Sequence, residues 1–279
     1  MKSLFDTVSR SCAKVVTQSY STSFASATKM LAPSIRQDIY NIYGFVRFAD
    51  EIVDSFHDYD KALLFERFDQ DLKNALEDKI SLNPILNAFQ ETVHKFAIEQ
   101  EHIDAFMKSM RLDLTKSDYL TDAEYREYIY GSADVVGLMC LTVFVQGDKE
   151  QYESLKESAM SLGSAFQKVN FLRDLKADFE GLSRTYFPDT NLHELDEASK
   201  QSIIADIEED FAKGLAGINR LPIEAKFGVY TAFRYYKKLL TKLKKVPSAE
   251  IKNTRVRVPD YVKASLLARS YVKYRLNLI

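Results

Sequence analysis

Nine glycines and six prolines are all that punctuate 279 residues. A chain with so few turn formers is driven into long helices, because Gly and Pro are what interrupt them. No series of short alternating segments joined by Asn-Gly or Asp-Gly turns is present to suggest strands. Helix signals instead recur along the sequence. Pro33-Ser34 opens a periodic stretch running through Phe56, residues 60–77 are acidic and lysine-rich and read as solvent-facing, and Asn83-Pro84 starts another helix, followed by one over 99–114. Thr121 with Glu124 three residues on predicts a capping box before a core helix at 135–145. Further helices are expected near 197–214, 222–245 and 259–277. The clearest break is EGLSRTYFPDTNLHE, at 180–194. No Gly/Pro/Ser-rich linker and no repeat of fixed period divides the chain, so one all-α domain over 1–279 is the expectation.

Composition removes several function classes. Cys12 and Cys140 are the only cysteines, without metal-ligand spacing, and four scattered histidines do not suggest a zinc site. The first residues lack the apolar stretch of a signal peptide. The longest apolar run, VVGLMCLTVFV at 135–145, is too short to span a bilayer by itself. A reduced, cytoplasmic protein is expected. The net charge of −2 hides an uneven distribution: from Arg234 onward thirteen basic residues face only Glu250 and Asp260. Such a segment reads as a solvated face, as a peripheral contact with the anionic inner face of a membrane, or as a site for a phosphorylated substrate. Lys237, Lys238, Lys242, Lys244 and Lys245 are the lysines that would meet a membrane. No nucleic-acid motif accompanies the charge, and no nucleic-acid partner is expected.

The acids pose the sharper question. Asp pairs at i, i+4 project both carboxylates from one helix face. They occur as Asp50–Asp54, Asp54–Asp58, Asp118–Asp122, Asp174–Asp178 and Asp206–Asp210. Context separates them. Asp206–Asp210 lies among lysines and further acids and reads as a solvated face, where Asn substitutions should be nearly silent. Asp50–Asp54 is embedded in YGFVRFADEIVDSF and Asp174–Asp178 in FQKVNFLRDLKADF, both apolar and aromatic. Burying an unpaired carboxylate is costly, so these acids either form an exposed stripe or meet something positive. Arg47 lies three residues before Asp50 and Arg173 directly before Asp174, so two internal ion-pair networks are one reading. Asn170, Asp174 and Asp178 share a stripe at i, i+4, i+8, with Gln167 one turn earlier.

Two carboxylate pairs in an apolar cleft suit hard cations. Mg²⁺ (or Mn²⁺) uses one or two carboxylates, keeps some waters and takes its remaining oxygens from substrate phosphates, while nearby Arg and Lys hold phosphate oxygens. Metal-bound diphosphate is a good leaving group, and an allylic partner would become a carbocation needing an apolar, aromatic pocket.

DEIVD (50–54) and NFLRDLKAD (170–178) resemble the paired aspartate-rich motifs of the squalene/phytoene synthase family, with SYSTSF (19–24), YGFVRFAD (43–50), YIYGSADVVG (128–137) and SRTYFP (183–188) in the family's order. The resemblance implies an all-α isoprenoid synthase fold around a central cavity, Mg²⁺ dependence, and head-to-head joining of two prenyl diphosphates through a cyclopropyl diphosphate. Phytoene-type enzymes finish by losing a proton, and squalene synthases finish with hydride from NADPH. Carried over by position, Asp50, Asp54, Asn170, Asp174 and Asp178 would hold the metal–diphosphate cluster, with Gln167 alongside. Arg47, Arg173 and Tyr43 would contact diphosphate, and Ser21 and Phe24 would belong to the substrate-binding segment. Tyr128 and Tyr186 would lie near the cavity, and the basic tail would add Arg255, Arg257 or Lys263, with Arg257 preferred. Asp134 departs from the small residue common at its place, and Phe187 from a leucine. The expected activity is phytoene synthesis from two geranylgeranyl diphosphates without NADPH. The alternatives are a squalene or dehydrosqualene synthase using farnesyl diphosphate, and a non-catalytic assembly protein on the same fold.

Overall fold

The computed structural model describes residues 1–116, 121–181, 195–251, 255–276 and 278–279, the side chains of 176–181 excepted. Among them the regular structure is entirely helical. The helices are α1 (Lys2–Tyr20), α2 (Thr22–Thr28), α3 (Pro33–Asp54), α4 (Lys61–Asp78), α5 (Pro84–Phe96), α6 (Gln100–Leu112), α7 (Asp122–Ile129), α8 (Val135–Phe144), α9 (Lys149–Gly181), α10 (Glu197–Ile218), α11 (Ile223–Leu243), α12 (Ser248–Ile251) and α13 (Asp260–Arg275). A π-helical turn, Tyr130–Asp134, joins α7 to α8.

Local chemistry explains the starts. Ser21, Asp60, Asn83 and Asp196 each accept a backbone N–H of the helix that follows them, and Pro33 and Pro84 occupy first-turn positions where no donor is lost. The capping box forms as its spacing predicts: the Thr121 side chain accepts from Glu124 N while Glu124 accepts from Thr121 N.

α3 is the centre of one half. It packs against α1, α4, α5, α6 and α8, and its fully buried Phe45 stacks on Phe89 with centroids 4.0 Å apart and meets Phe106 edge-on at 5.3 Å. α9 organises the other half, lying against α8, α10 and α11. The backbone of α9 touches α8 and the π-helical turn before it: a Cβ on Gly137 would lie 2.9 Å from the Ala159 carbonyl, and one on Gly163 would lie 2.8 Å from that of Ala133. Only glycine fits at both points.

Four sequence expectations need amendment. The stretch read as solvent-facing at 60–77 is an amphipathic helix, burying Phe65, Phe68, Leu72 and Ala75 of α4. Asp206–Asp210 is not a solvated face. Lys168 of α9 bonds Asp206 at 2.5 Å and Asp210 at 2.8 Å, and the side chains of Lys168 and Asp210 are only 11% and 14% exposed. The partner comes from a helix some 40 positions away, so local context could not reveal it. Several tail lysines are occupied as well. Lys237 and Lys244 share Glu208, and Lys242 donates to the Arg257 carbonyl at 2.5 Å. Finally, the 135–145 run continues an unbroken helical rod, Asp122–Phe144, whose 23 residues are long and apolar enough to cross a membrane. Most of its apolar stretch is buried inside the protein, against α3, α6 and α9.

The ion pair yields a prediction. Asp210→Ala leaves a buried ammonium half-compensated and should cost on the order of 3 kcal/mol in chemical denaturation. Asp206→Ala, at a carboxylate 54% exposed, should cost under about 1 kcal/mol. Equal losses would show that Lys168 does not depend on the buried partner.

Candidate active site

Tyr43, Arg47, Asp50 and Asp54 recur at four, three and four residues along α3 and therefore share a face. Tyr43 stacks on Phe24 with centroids 4.7 Å apart. Burial pushes its phenol up to about 12, Arg47 pulls the other way, and Ser21 hydrogen-bonds it. The Arg47 guanidinium clasps Asp50 and Glu51 and lies 4.4 Å over the ring of Tyr20, while its Nε is buried without a partner. Asp50 is pushed up to about 7, first by burial and then by the charge of Asp54, with Arg47 opposing and Asp113 adding to the rise.

On α9, Gln167, Asn170, Arg173 and Asp174 come together in succession. The Arg173 Nε lies 3.0 Å from both Asp174 oxygens. A second arginine reaches the same acid from the C-terminal segment, with Arg255 Nε 3.0 Å from Asp174 Oδ1. Asn170 Oδ1 is buried with no hydrogen-bond partner. Tyr128 connects this helix to the α3 acids. Its ring stacks on Phe171 at 6.1 Å, and its hydroxyl donates to Asp113 at 2.9 Å. Asp113 is in turn one of the charges acting on Asp50.

Beside these acids lies a cavity of about 280 Å³. Phe24, Tyr43 and Val46 enter it from α2 and α3, Phe166 and Gln167 from α9, and Tyr236 from α11. The rings of Phe166 and Tyr236 stack with centroids 4.1 Å apart. No charged side chain lines it among the described residues.

The structure thus places Ser21, Phe24, Tyr43, Arg47, Asp50 and Asp54 in one connected group, Gln167, Asn170, Arg173 and Asp174 along α9, and Tyr128 of α7 against Phe171 of that helix. Arg257 is exposed, and its described contact is the carbonyl that receives Lys242. The side chain of Asp178 and all of Tyr186 lie outside the described residues, as does Phe187. Residues that sequence reasoning missed include Tyr20, Glu51, Asp113 and Tyr236. Glu51 lay in the quoted motif, but Asp113 and Tyr236 carry no motif at all.

Among the described residues no three acidic, His or Cys side chains form a ready metal cluster. The donor set nevertheless fits hard cations that take further oxygens from a substrate. The fit rests on two carboxylates crowded on one face of α3, an orphaned amide oxygen at Asn170, and Asp174 on the second helix.

Residues 17–261 match the squalene/phytoene synthase family. A phytoene synthase of Arthrospira platensis is 24% identical over 286 residues, covering 94% of this chain and 92% of that protein. The chloroplastic phytoene synthase 2 of Zea mays is 31% identical over 206 residues, covering 73% of this chain and 48% of that protein. The chain therefore spans about half the length of that plant relative. Among solved structures, a dehydrosqualene synthase in complex with ligand superposes with a TM-score of 0.83 at 20% identity, covering 97% of this chain and 98% of that one. A squalene synthase from Alicyclobacillus acidocaldarius gives 0.72 at 20% identity, over 85% and 93%. These two likenesses establish the terpenoid synthase fold.

The raised Asp50 would make any cation binding there pH-dependent. Between about pH 4 and 7 the folded protein holds a proton that the unfolded chain releases, so metal-free stability should fall as pH rises through this window. Cation binding at Asp50 would expel that proton. Mg²⁺ affinity should climb up to tenfold per pH unit below about pH 7 and level off above it. Calorimetry in buffers of different ionisation enthalpy should detect proton release, and Asp50→Asn should abolish it. Proton-independent binding by the unaltered protein would contradict the assignment.

Proposed function

Because this chain belongs to the squalene/phytoene synthase family, we propose that it joins two prenyl diphosphates head to head, with geranylgeranyl diphosphate as substrate and phytoene as product. The observation that carries the reading is the convergence of two acid-bearing helices, α3 and α9, on one apolar cavity.

Asp50 and Asp54 from α3, and Asn170, Asp174 and Asp178 from α9, would hold the metal ions. Mg²⁺ bound there would neutralise the charge that develops on diphosphate as its bond to the allylic carbon breaks. The protein's own residues do the rest. Arg47 offers an unpaired Nε–H beside the acids, and Arg173 and Arg255 present guanidinium edges at Asp174. Such edges suit phosphate oxygens. The hydrocarbon chains would fill the cavity, whose apolar wall excludes the water that would quench a cation. The faces of Phe24, Tyr43, Phe166 and Tyr236 would meet the positive charge. At neutral pH the Tyr43 phenol stays protonated, so it orients rather than takes protons.

Dehydrosqualene or squalene synthesis from farnesyl diphosphate is the second reading, favoured by the shape match to a dehydrosqualene synthase over nearly the whole chain. Incubating purified protein with Mg²⁺ and C15 or C20 diphosphates, with and without NADPH, and identifying the hydrocarbon separates the two. Phytoene from the C20 substrate, independent of NADPH, is the expected result. Activity should vanish in EDTA and return with Mg²⁺ or Mn²⁺. Replacing Asp50, Asp54, Asp174 or Asp178 by Asn should lower kcat by hundreds-fold or more, on the order of 3–4 kcal/mol of barrier each. Wild-type turnover by any of these four variants would remove that residue from the metal site.

A further inference from the structure

Several helical serines and threonines in this chain bond back onto their own helix. Ser9, Ser11, Thr17, Thr142, Thr231 and Ser270 each donate their hydroxyl to the carbonyl four residues back, at 2.7–3.1 Å. Ser132 does not. Its Oγ is buried with no hydrogen-bond partner, and the residue forms part of the cavity wall.

The backbone around Ser132 departs from the regular helix. Ser132 lies in the π-helical turn Tyr130–Asp134, where Val135 N–H bonds back to Tyr130 O across five residues instead of four. Both ends of the turn are fixed by neighbouring helices. A Cβ on Gly131 would lie 2.0 Å from Ser109 Oγ and 2.7 Å from the Ala105 carbonyl, so α6 presses directly on the backbone there. At the other end, Asp134 accepts a 2.7 Å hydrogen bond from Ser164 of α9. Held between these anchors, Ser132 and Ala133 are the turn residues that line the cavity.

An unsatisfied buried hydroxyl destabilises a fold unless something uses it. The cavity wall has no charged side chain among the described residues, and the thiol of Cys140, pushed up to about 12 by burial, stays neutral. We infer that the Ser132 oxygen is a lone-pair contact for positive charge on the prenyl chain inside the cavity. The inference rests on the prenyl-transfer reading above. When the allylic C–O bond breaks, its electron pair leaves with diphosphate and the positive charge stays on the allylic carbons. The Ser132 dipole stabilises that charge without forming a bond or accepting a proton.

The test compares Ser132→Ala with the unaltered full chain. A fixed cation, a C15 or C20 prenyl trimethylammonium, and its neutral isostere with a tert-butyl group are titrated into each protein. The variant should bind the ammonium about tenfold more weakly, ~1.4 kcal/mol, and the neutral isostere equally well. Its Tm should equal or exceed that of the unaltered protein, since a buried unpaired hydroxyl is lost. With diphosphate substrate, kcat should fall while KM holds. Equal losses for both probes, or no loss for the ammonium, would overturn the role of Ser132. Failure of the unaltered protein to turn over any prenyl diphosphate would instead overturn the proposed function, and the ammonium comparison would still read Ser132 by itself.

Discussion

Two carboxylates held one helical turn apart in a largely apolar setting repel each other, and the rest of the candidate site is organised around that repulsion. Asp50 responds by holding its proton up to about 7. Arg47 compensates part of the charge and is itself sandwiched between Asp50, Glu51 and the face of Tyr20. Across the site Arg173 and Arg255 converge on Asp174, a comparable balance built from a second helix and a distant segment. Neither balance is complete. Arg47 Nε and Asn170 Oδ1, a donor and an acceptor, are left buried and unmatched. Unpaired groups of opposite character beside crowded acids are what a ligand carrying both metal and phosphate oxygens would satisfy.

α9 links this polar region to the interior. One helix carries Phe166 and Gln167 in the cavity wall, Lys168 in a buried ion pair with α10, and the acid motif beyond. Lys168 follows Gln167 directly, so neighbouring residues about 100° apart around the helix serve different partners. The Lys168–Asp210 pair, with the apolar packing of Ala165, Val169 and Leu172, holds the face of α9 from which Asn170 and Asp174 project.

Much of this was legible in the sequence because its signals are local. Pro33, Asn83 and the Thr121/Glu124 box mark helix starts through bonds made within a few residues. The arginines beside Asp50 and Asp174 stand out in an apolar run for the same reason. What could not be read depends on partners far along the chain. Asp210 looks solvated until Lys168, 42 positions earlier, is brought against it. Asp113 has no motif, and only the fold brings Tyr128 to it. The π-helical turn was likewise invisible, as was the close approach of α6 to its Gly131.

The paired glycine contacts of α8 and α9 bear on how such a protein can change over generations. Gly137 and Gly163 both line the cavity, Gly137 against the Ala159 carbonyl of α9 and Gly163 against the Ala133 carbonyl of the π-helical turn. Neither can acquire a side chain without separating the two backbones, so these two points of the wall are closed to gradual remodelling. Heritable variation in the size of the cavity is left to the lining positions that already carry side chains, such as Phe24, Leu31 and Val46 on one side and Val136, Cys140 and Leu162 on the other.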